Sequence, residues 1–253
     1  MASSPGVDVD QLFGDGARDR FARDGYLTST GPILTADELA EARSLVEDVL
    51  GRAQTNDLGV GGPDGGRIVE VNSATEVERA LTRTAAFRRC RALSAALLGV
   101  PVAPFFDHVI AKPPRNLSAT PWHQDTAYAE PDHVFPPTAH LWLALQDATV
   151  DNGCMQFVPG SHRSRLPHRK RGGDAAATAL EAVDPDVRGA VACPIPAGGL
   201  TVHHPGILHG TGPNDTDGWR LAWILQFREA GTWGARSRIP RPLLRARERL
   251  RRR

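Results

Sequence analysis

Nine histidines are spread over the chain, and the first chemical question is which of them can meet. His123 and Asp125 stand two apart in the run PWHQDTAY. In an extended segment residues two apart point to the same face, so an imidazole and a carboxylate there can grip one metal ion. A His-x-Asp pair arises readily by chance, and a third ligand must come from elsewhere in the fold. The segment HHPGILHGTGPNDTDGWRLAWILQF offers one. His209 lies 86 residues beyond His123 at a turn between two strand-like runs, with Thr211 two residues on and Arg220 eleven residues on. Two His and one carboxylate make a facial triad, which leaves one side of an Fe(II) open for a chelating cosubstrate and oxygen. An Arg on the following strand can form a bidentate pair with the far carboxylate of a dicarboxylate, and the Thr211 hydroxyl can add a hydrogen bond to it.

Other candidates read more blandly. His203 and His204 precede the distal His, but a strand points them to opposite faces and neither has the Arg spacing. His162, in PGSH, reads as a turn residue with a satisfied hydrogen bond. His108 shares an alternation face with Phe106, Ile110 and Lys112, where it either lines a pocket or sits in the core. Trp122, Trp142, Trp219 and Trp223 read as core, Asn152 and Gly153 as turn chemistry, and Cys154 as a small buried hydrophobe.

These groups need elements to hold them. Residues 9–24 carry a near-helical stripe of Leu12, Phe13, Ala17, Phe21 and Ala22, interrupted by Gly14 and Gly16. Thr35 and Glu38 form a capping-box pattern, and Leu39, Ala42, Leu45, Val46, Val49 and Leu50 then repeat at helical spacing to about Arg52. Residues 56–66 are a polar, Gly-rich loop. Thr75 with Glu78 predicts a second helix running to Leu98, stopped by Gly99 and Pro101. Beyond it short apolar runs alternate with Pro and Gly: Val102–Lys112, Thr138–Leu145, Met155–Val158, Val191–Ile195, Leu200–His203 and Arg220–Phe227. That grammar predicts an antiparallel sandwich or small barrel. The stretch between His162 and Asp186 reads as a mobile excursion, and the Arg-rich tail from Arg236 to Arg253 as a solvated helix or frayed end.

Composition narrows the setting. Of 253 residues, 41% are apolar and 23% charged, ample for a globular core and incompatible with wholesale disorder. Thirty basic residues against 29 acidic ones leave a net charge of +1, so no global field draws in nucleic acid or membrane. All the basic residues but Lys112 and Lys170 are Arg. The scattered Cys90, Cys154 and Cys193 fit a reducing cytoplasm rather than a disulfide framework. With neither an apolar leader nor a run approaching 18 apolar residues, the expectation is a cytoplasmic protein of undetermined oligomeric state.

Taken together, the motifs resemble the phytanoyl-CoA dioxygenase family of Fe(II)/2-oxoglutarate oxygenases. FARDGYLTSTGPILTADELAEAR is similar to its helical entry, and HVIAKPPRNLSATPWHQD to the strand leading into its His-x-Asp, including the Lys112-Pro113-Pro114 step. LWLALQDATVDNGCMQFVPGSH resembles its W-x-A-L-x-D…N-G-x…P-G-S-H stretch, and HGTGPNDTDGWR its distal His, small hydroxyl residue and Arg. The resemblance implies a mainly β fold, a double-stranded β-helix (jelly roll, cupin-like) with an N-terminal helical region. The whole chain would be one domain: residues 1–100 a mostly helical buttress, 101–230 the jelly-roll core, 231–253 a basic tail.

By the same resemblance His123, Asp125 and His209 would bind Fe(II). Arg220 and Thr211 would hold the C5 carboxylate of 2-oxoglutarate, and Trp142 would wall the cosubstrate pocket. An upstream cosubstrate contact would come from Arg67 or Lys112. Related halogenases replace the carboxylate ligand by a small residue, so retention of Asp125 implies oxidation by O2 rather than halogenation. The expected activity is hydroxylation of an unactivated C–H bond, in a bacterial secondary-metabolite intermediate or, alternatively, in an acyl-CoA or lipid-type substrate. Desaturation, epimerisation and cyclisation are open to the same chemistry. Two rivals stand beside it: a jelly-roll Zn or Mn hydrolase or isomerase, which has no need of Arg220, and a ligand-binding relative without turnover. Arg163, Arg165, His168, Arg169, Lys170 and Arg171 either greet an anionic substrate or form a solvated lid, with Tyr128 and His133 of the 126–137 loop the next residues facing substrate.

Overall fold

Period-two alternation between closely spaced Pro and Gly residues lays the second half of the chain down as short antiparallel strands. A computed structural model describes residues 7–53, 56–57, 68–129, 133, 135–171 and 179–232. Its helices are α1 (Val9–Phe13), α2 (Ala17–Asp24), α3 (Ala36–Arg52), α4 (Ala74–Val77) and α5 (Ala85–Leu98). Its strands are β1 (Tyr26–Thr28), β2 (Asn56–Asp57), β3 (Val69–Asn72), β4 (Val102–Lys112), β5 (Thr120–His123), β6 (Thr138–Ala144), β7 (Met155–Phe157), β8 (His168–Lys170), β9 (Leu180–Ala182), β10 (Val191–Cys193), β11 (Leu200–His203), β12 (His209–Thr211) and β13 (Arg220–Glu229). The large sheet runs β1-β11-β6-β13-β4-β3-β2, the small one β10-β7-β12-β5, and β8 pairs with β9 alone. Sequence neighbours therefore part and return to opposite sheets, which is the jelly-roll arrangement.

The large sheet buries both faces. Leu141, Leu143, Val202, Trp223, Leu225 and Phe227 pack outward against Val46 and Val49 of α3 and Cys90, Leu93 and Leu97 of α5. The intervening residues Trp142, Ala144, Ala222 and Ile224 point inward and meet Met155, Phe157 and Cys193 of the small sheet. Each large side chain buried in this way contributes about 1.5–3 kcal/mol. Trp223 is fully buried, and its indole N–H donates to Asp107 (3.0 Å). The inner face is where polar side chains gather.

Local signals were realised unevenly. The Thr35–Glu38 capping box forms reciprocally and opens α3 as expected. Gly14 and Gly16 split the first stripe into α1 and α2. The Thr75–Glu78 pattern does not open a long helix. Thr75 spends its backbone N–H and hydroxyl on buried Asp107, Glu78 caps a short 3-10 turn, and Thr84 is the true N-cap of α5 through the Phe87 N–H. The first hundred residues are also more than a helical buttress, since β1 and β3 are strands of the large sheet. Trp219, expected in the core, is 51% exposed.

The 162–186 excursion is anchored in its described part. β8 and β9 form a hairpin, and Gln124, between two candidate ligands, ties it down. Its side chain donates to the carbonyls of Ser164 (2.7 Å) and Gly206 (2.6 Å) and accepts from the Leu166 N–H (2.8 Å). Arg163 donates to the Arg23 carbonyl, Arg165 to that of Thr126, and Arg169 pairs with Glu181. These cations are spent on the scaffold, so the expectation of an unanchored basic lid is not met there. The Gly-rich loop apart from Asn56 and Asp57, Arg67 and the Arg-rich tail lie outside the described residues. Among the described residues no helix is long and apolar enough to cross a membrane.

Candidate active site

The small sheet carries the two distant histidines into register. His209 on β12 is the direct antiparallel partner of His123 on β5, and Asp125 follows at the start of a 3-10 turn spanning Asp125–Tyr128. Asp125 Oδ1 lies 3.6 Å from His123 Nε2 and 3.8 Å from His209 Nε2, and one donor atom from each residue falls within 4.8 Å of the others. The far ring nitrogens are committed. His123 Nδ1 donates to the Pro121 carbonyl (2.8 Å) and His209 Nδ1 to that of Ile207 (2.9 Å). Each ring's single proton is thereby held on Nδ1, leaving the Nε2 lone pair free to coordinate a metal.

Burial pulls His123 down, but its contact with Asp125 outweighs that and raises it above the usual imidazole value, so a metal ion at Nε2 competes with a proton there. Burial alone would raise Asp125, but the imidazoles gathered round it, His209, His123, His140 and His203, outweigh burial and hold the carboxyl well below its ordinary range. Burial, reinforced by His123, pushes His209 well below the usual imidazole value, so it is neutral. An ionised carboxylate facing two imidazole lone pairs at under 4 Å is a set of three donors without an acceptor. A divalent cation satisfies it, and the open geometry with N/O donors fits Fe(II).

Buried cations gather beside the strand that bears His209. Arg220 on β13 pairs in register with Lys112 on β4, and Lys112 Nζ donates to Thr211 Oγ1 (3.0 Å) on the strand that bears His209. Thr211 in turn bonds Thr120 Oγ1 (2.9 Å). Arg220 is 1% exposed, its guanidinium carbon stands 5.1 Å from the centre of the Trp142 ring, and its Nε and one terminal nitrogen have no protein partner. Leaving such donors dry and unpaired is costly, and their chemistry suits a carboxylate partner. Burial lowers Arg220 only to about 10, so it stays charged, whereas burial together with Arg220 and Arg171 pushes Lys112 down to about 6.

The structure thus brings together His123, Asp125, His209, Arg220, Thr211, Trp142 and Lys112. Of the two upstream candidates, Lys112 stands at the site through its bond to Thr211, and Arg67 lies outside the described residues. His203 turns inward to Asp125 while His204 turns away. His108 faces the site and hydrogen-bonds Glu70 (2.5 Å). Tyr128 packs edge-on to His123 while its hydroxyl accepts from the Leu180 N–H. His133, the other residue expected to face substrate, packs edge-on against Phe135. Sequence reasoning missed His140, whose Nδ1 lies 2.7 Å from Asp125 Oδ2. Its only sequence signal was its place two residues before Trp142, on the same face of β6.

A jelly roll with an open His/Asp/His set on one sheet and a buried guanidinium facing it from the other defines a mononuclear non-haem metalloprotein of the facial-triad class. Residues 21–222 match the model of the phytanoyl-CoA dioxygenase (PhyH) family, and the chain belongs to that family. Phytanoyl-CoA dioxygenase domain-containing protein 1 of Mus musculus is 33% identical over 115 residues, covering 43% of this chain and 38% of that protein. The chain spans less than half the length of the vertebrate and plant relatives it matches. Among solved structures, EvdO2 of Micromonospora carbonacea var. aurantiaca, complexed with 2-oxoglutarate, has a TM-score of 0.74 at 28% identity and covers 96% of this chain and 98% of that one. The non-haem α-ketoglutarate-dependent epimerase SnoN from nogalamycin biosynthesis has a TM-score of 0.66 at 27% identity, covering 88% and 91%.

Proposed function

We propose that this protein is an Fe(II)/2-oxoglutarate-dependent oxygenase that oxidises a C–H bond of a small molecule, with a bacterial secondary-metabolite intermediate as the substrate class. The observation that carries the cosubstrate is Arg220: a buried, charged guanidinium with unpaired donors, linked through Lys112 and Thr211 to the strand of a metal ligand. When bound, Fe(II) and 2-oxoglutarate supply the oxidising power, drawn from O2 and the decarboxylation of the keto acid.

The protein's own groups do the rest. His123, Asp125 and His209 hold the metal on one side only. Arg220, Lys112 and Thr211 take the far carboxylate, and Trp142 stacks under Arg220 and keeps water from that end. Oxidation rather than halogenation follows from the carboxylate at position 125. Hydroxylation is the default outcome, and the likeness to an epimerase of the same cofactor class keeps epimerisation open. A Zn or Mn hydrolase would leave the Arg220 donors without purpose.

Anaerobic addition of Fe(II) and 2-oxoglutarate should produce the weak visible charge-transfer band of the chelate. Arg220→Ala should weaken 2-oxoglutarate binding by about 2–4 kcal/mol, the scale of a buried charge pair. Lys at that position should recover only part, because a point charge does not reproduce the fork. Equal affinity in wild type and Arg220→Ala would refute the clamp.

A further inference from the structure

The two oxygens of Asp125 serve opposite sheets. Oδ1 faces the ligand imidazoles His123 and His209 of the small sheet. Oδ2 faces two imidazoles of the large sheet: His140 Nδ1 at 2.7 Å and His203 Nε2 at 3.5 Å. His140 on β6 and His203 on β11 are register partners, so their side chains stand together on the inner face. Both are almost wholly buried, at 3% and 2% exposure. An ionised carboxylate only accepts hydrogen bonds, so the proton in the short contact belongs to His140 Nδ1. The opposite nitrogen, His140 Nε2, has no protein partner.

We infer that His140 is a positioning residue, which donates its Nδ1–H across the barrel to Asp125 Oδ2 and so presents Oδ1 alone to the metal. The inference rests on the metal centre proposed above. A carboxylate with a free second oxygen can swing to bidentate binding and fill a position that a chelating cosubstrate and oxygen need. Tying down Oδ2 from the facing sheet prevents that swing. It also fixes the approach of Asp125, which sits at the start of a single 3-10 turn. His140 and His203 with Asp125 also have the composition of a second metal site, but 2.7 Å is the length of a charge-assisted hydrogen bond. The geometry therefore favours a proton between nitrogen and oxygen.

The test uses Co(II) as probe on the full-length metal-free protein, read by titration and by the visible ligand-field spectrum. His140→Leu and His140→Met remove the donor, and two variants guard against a packing failure in either. His140→Asn places an amide N–H near the position of Nδ1 and keeps it. The donorless variants should bind Co(II) about 10- to 100-fold more weakly, with a spectrum altered by the freed carboxylate oxygen, while Asn stays close to wild type in both. Unchanged affinity and spectrum in Leu and Met would overturn the inference, as would equal weakening in Leu, Met and Asn, because packing would then be the cause. Two Co(II) per wild-type chain would overturn it in favour of a second cation. Failure of the wild type to bind Co(II) at all would instead bring down the metal centre itself.

Discussion

Lys112 is the residue whose charge responds most to what fills the pocket. With its amine buried beside Arg220 its pKa falls to about 6, so near neutral pH it is an uncharged donor to Thr211. A carboxylate arriving next to it favours the ammonium and raises that pKa. Binding of 2-oxoglutarate should then take up a proton at any pH between about 6 and the pKa in the complex. The sign follows: affinity is greatest below about pH 6 and weakens as pH rises through that window, by at most tenfold per unit. Calorimetry in buffers of different ionisation enthalpy should show this proton uptake near pH 7.5, and Lys112→Met should abolish it. Absence of uptake in the wild type would mean that the cosubstrate carboxylate does not reach Lys112.

At the scale of elements, the turn between β5 and the 3-10 helix does two tasks at once. His123 and Asp125 point into the barrel, and Gln124 between them, 1% exposed, bolts the 164–168 segment and the Gly206 turn to it. The backbone N–H of Gln124 adds a bond to His168 Nε2 (3.0 Å). These two segments are therefore mechanically coupled to the ligand turn. Gln124→Leu removes three side-chain hydrogen bonds, a loss of roughly 3 kcal/mol at about 1 kcal/mol each. Hydrogen exchange should find the Leu166 amide protected in the wild type without any substrate and fast in Gln124→Leu. Fast exchange of that amide in the wild type would show that the segment is loose after all.

At the scale of the molecule, a cation held by His123, Asp125 and His209 would tie β5, β12 and the turn after β5 together, and His140 would tie that cluster to the facing sheet through Asp125. A cation held by the native state alone, at a hundredfold excess over its Kd, adds about 2.7 kcal/mol. For a chain of this size that corresponds to roughly 5–10 °C in Tm. Thermal unfolding with and without Fe(II) or Co(II) under anaerobic conditions should show the rise, chelator should reverse it, and His209→Ala should lose it while unfolding near the wild-type metal-free temperature. An equal rise in His209→Ala would place the cation elsewhere.

What the sequence determined by itself was whatever is encoded over short range or by strand alternation. The α3 capping box needs residues three apart, the His-x-Asp needs one extended turn, and the distal His with its Thr and Arg needs one short crossing from β12 to β13. Those spacings survived folding because the interactions they rely on lie within a few residues. The second helix shows the limit: Thr75 and Glu78 have the right spacing, but Asp107 on β4 captures Thr75, and Thr84 caps α5 instead. A long-range partner inside the core outbids a local one, and nothing near Thr75 announces it. The supports of the site are decided in the same way. His140 and His203 read as ordinary strand residues until β6 and β11 pair in register and the jelly roll lays that face over Asp125. Lys112 reaches Thr211 only because β4 and β12 lie on facing sheets. Register between strands distant in the chain sets these contacts, and a one-residue slip would turn every one of those side chains to the helical side of the sheet.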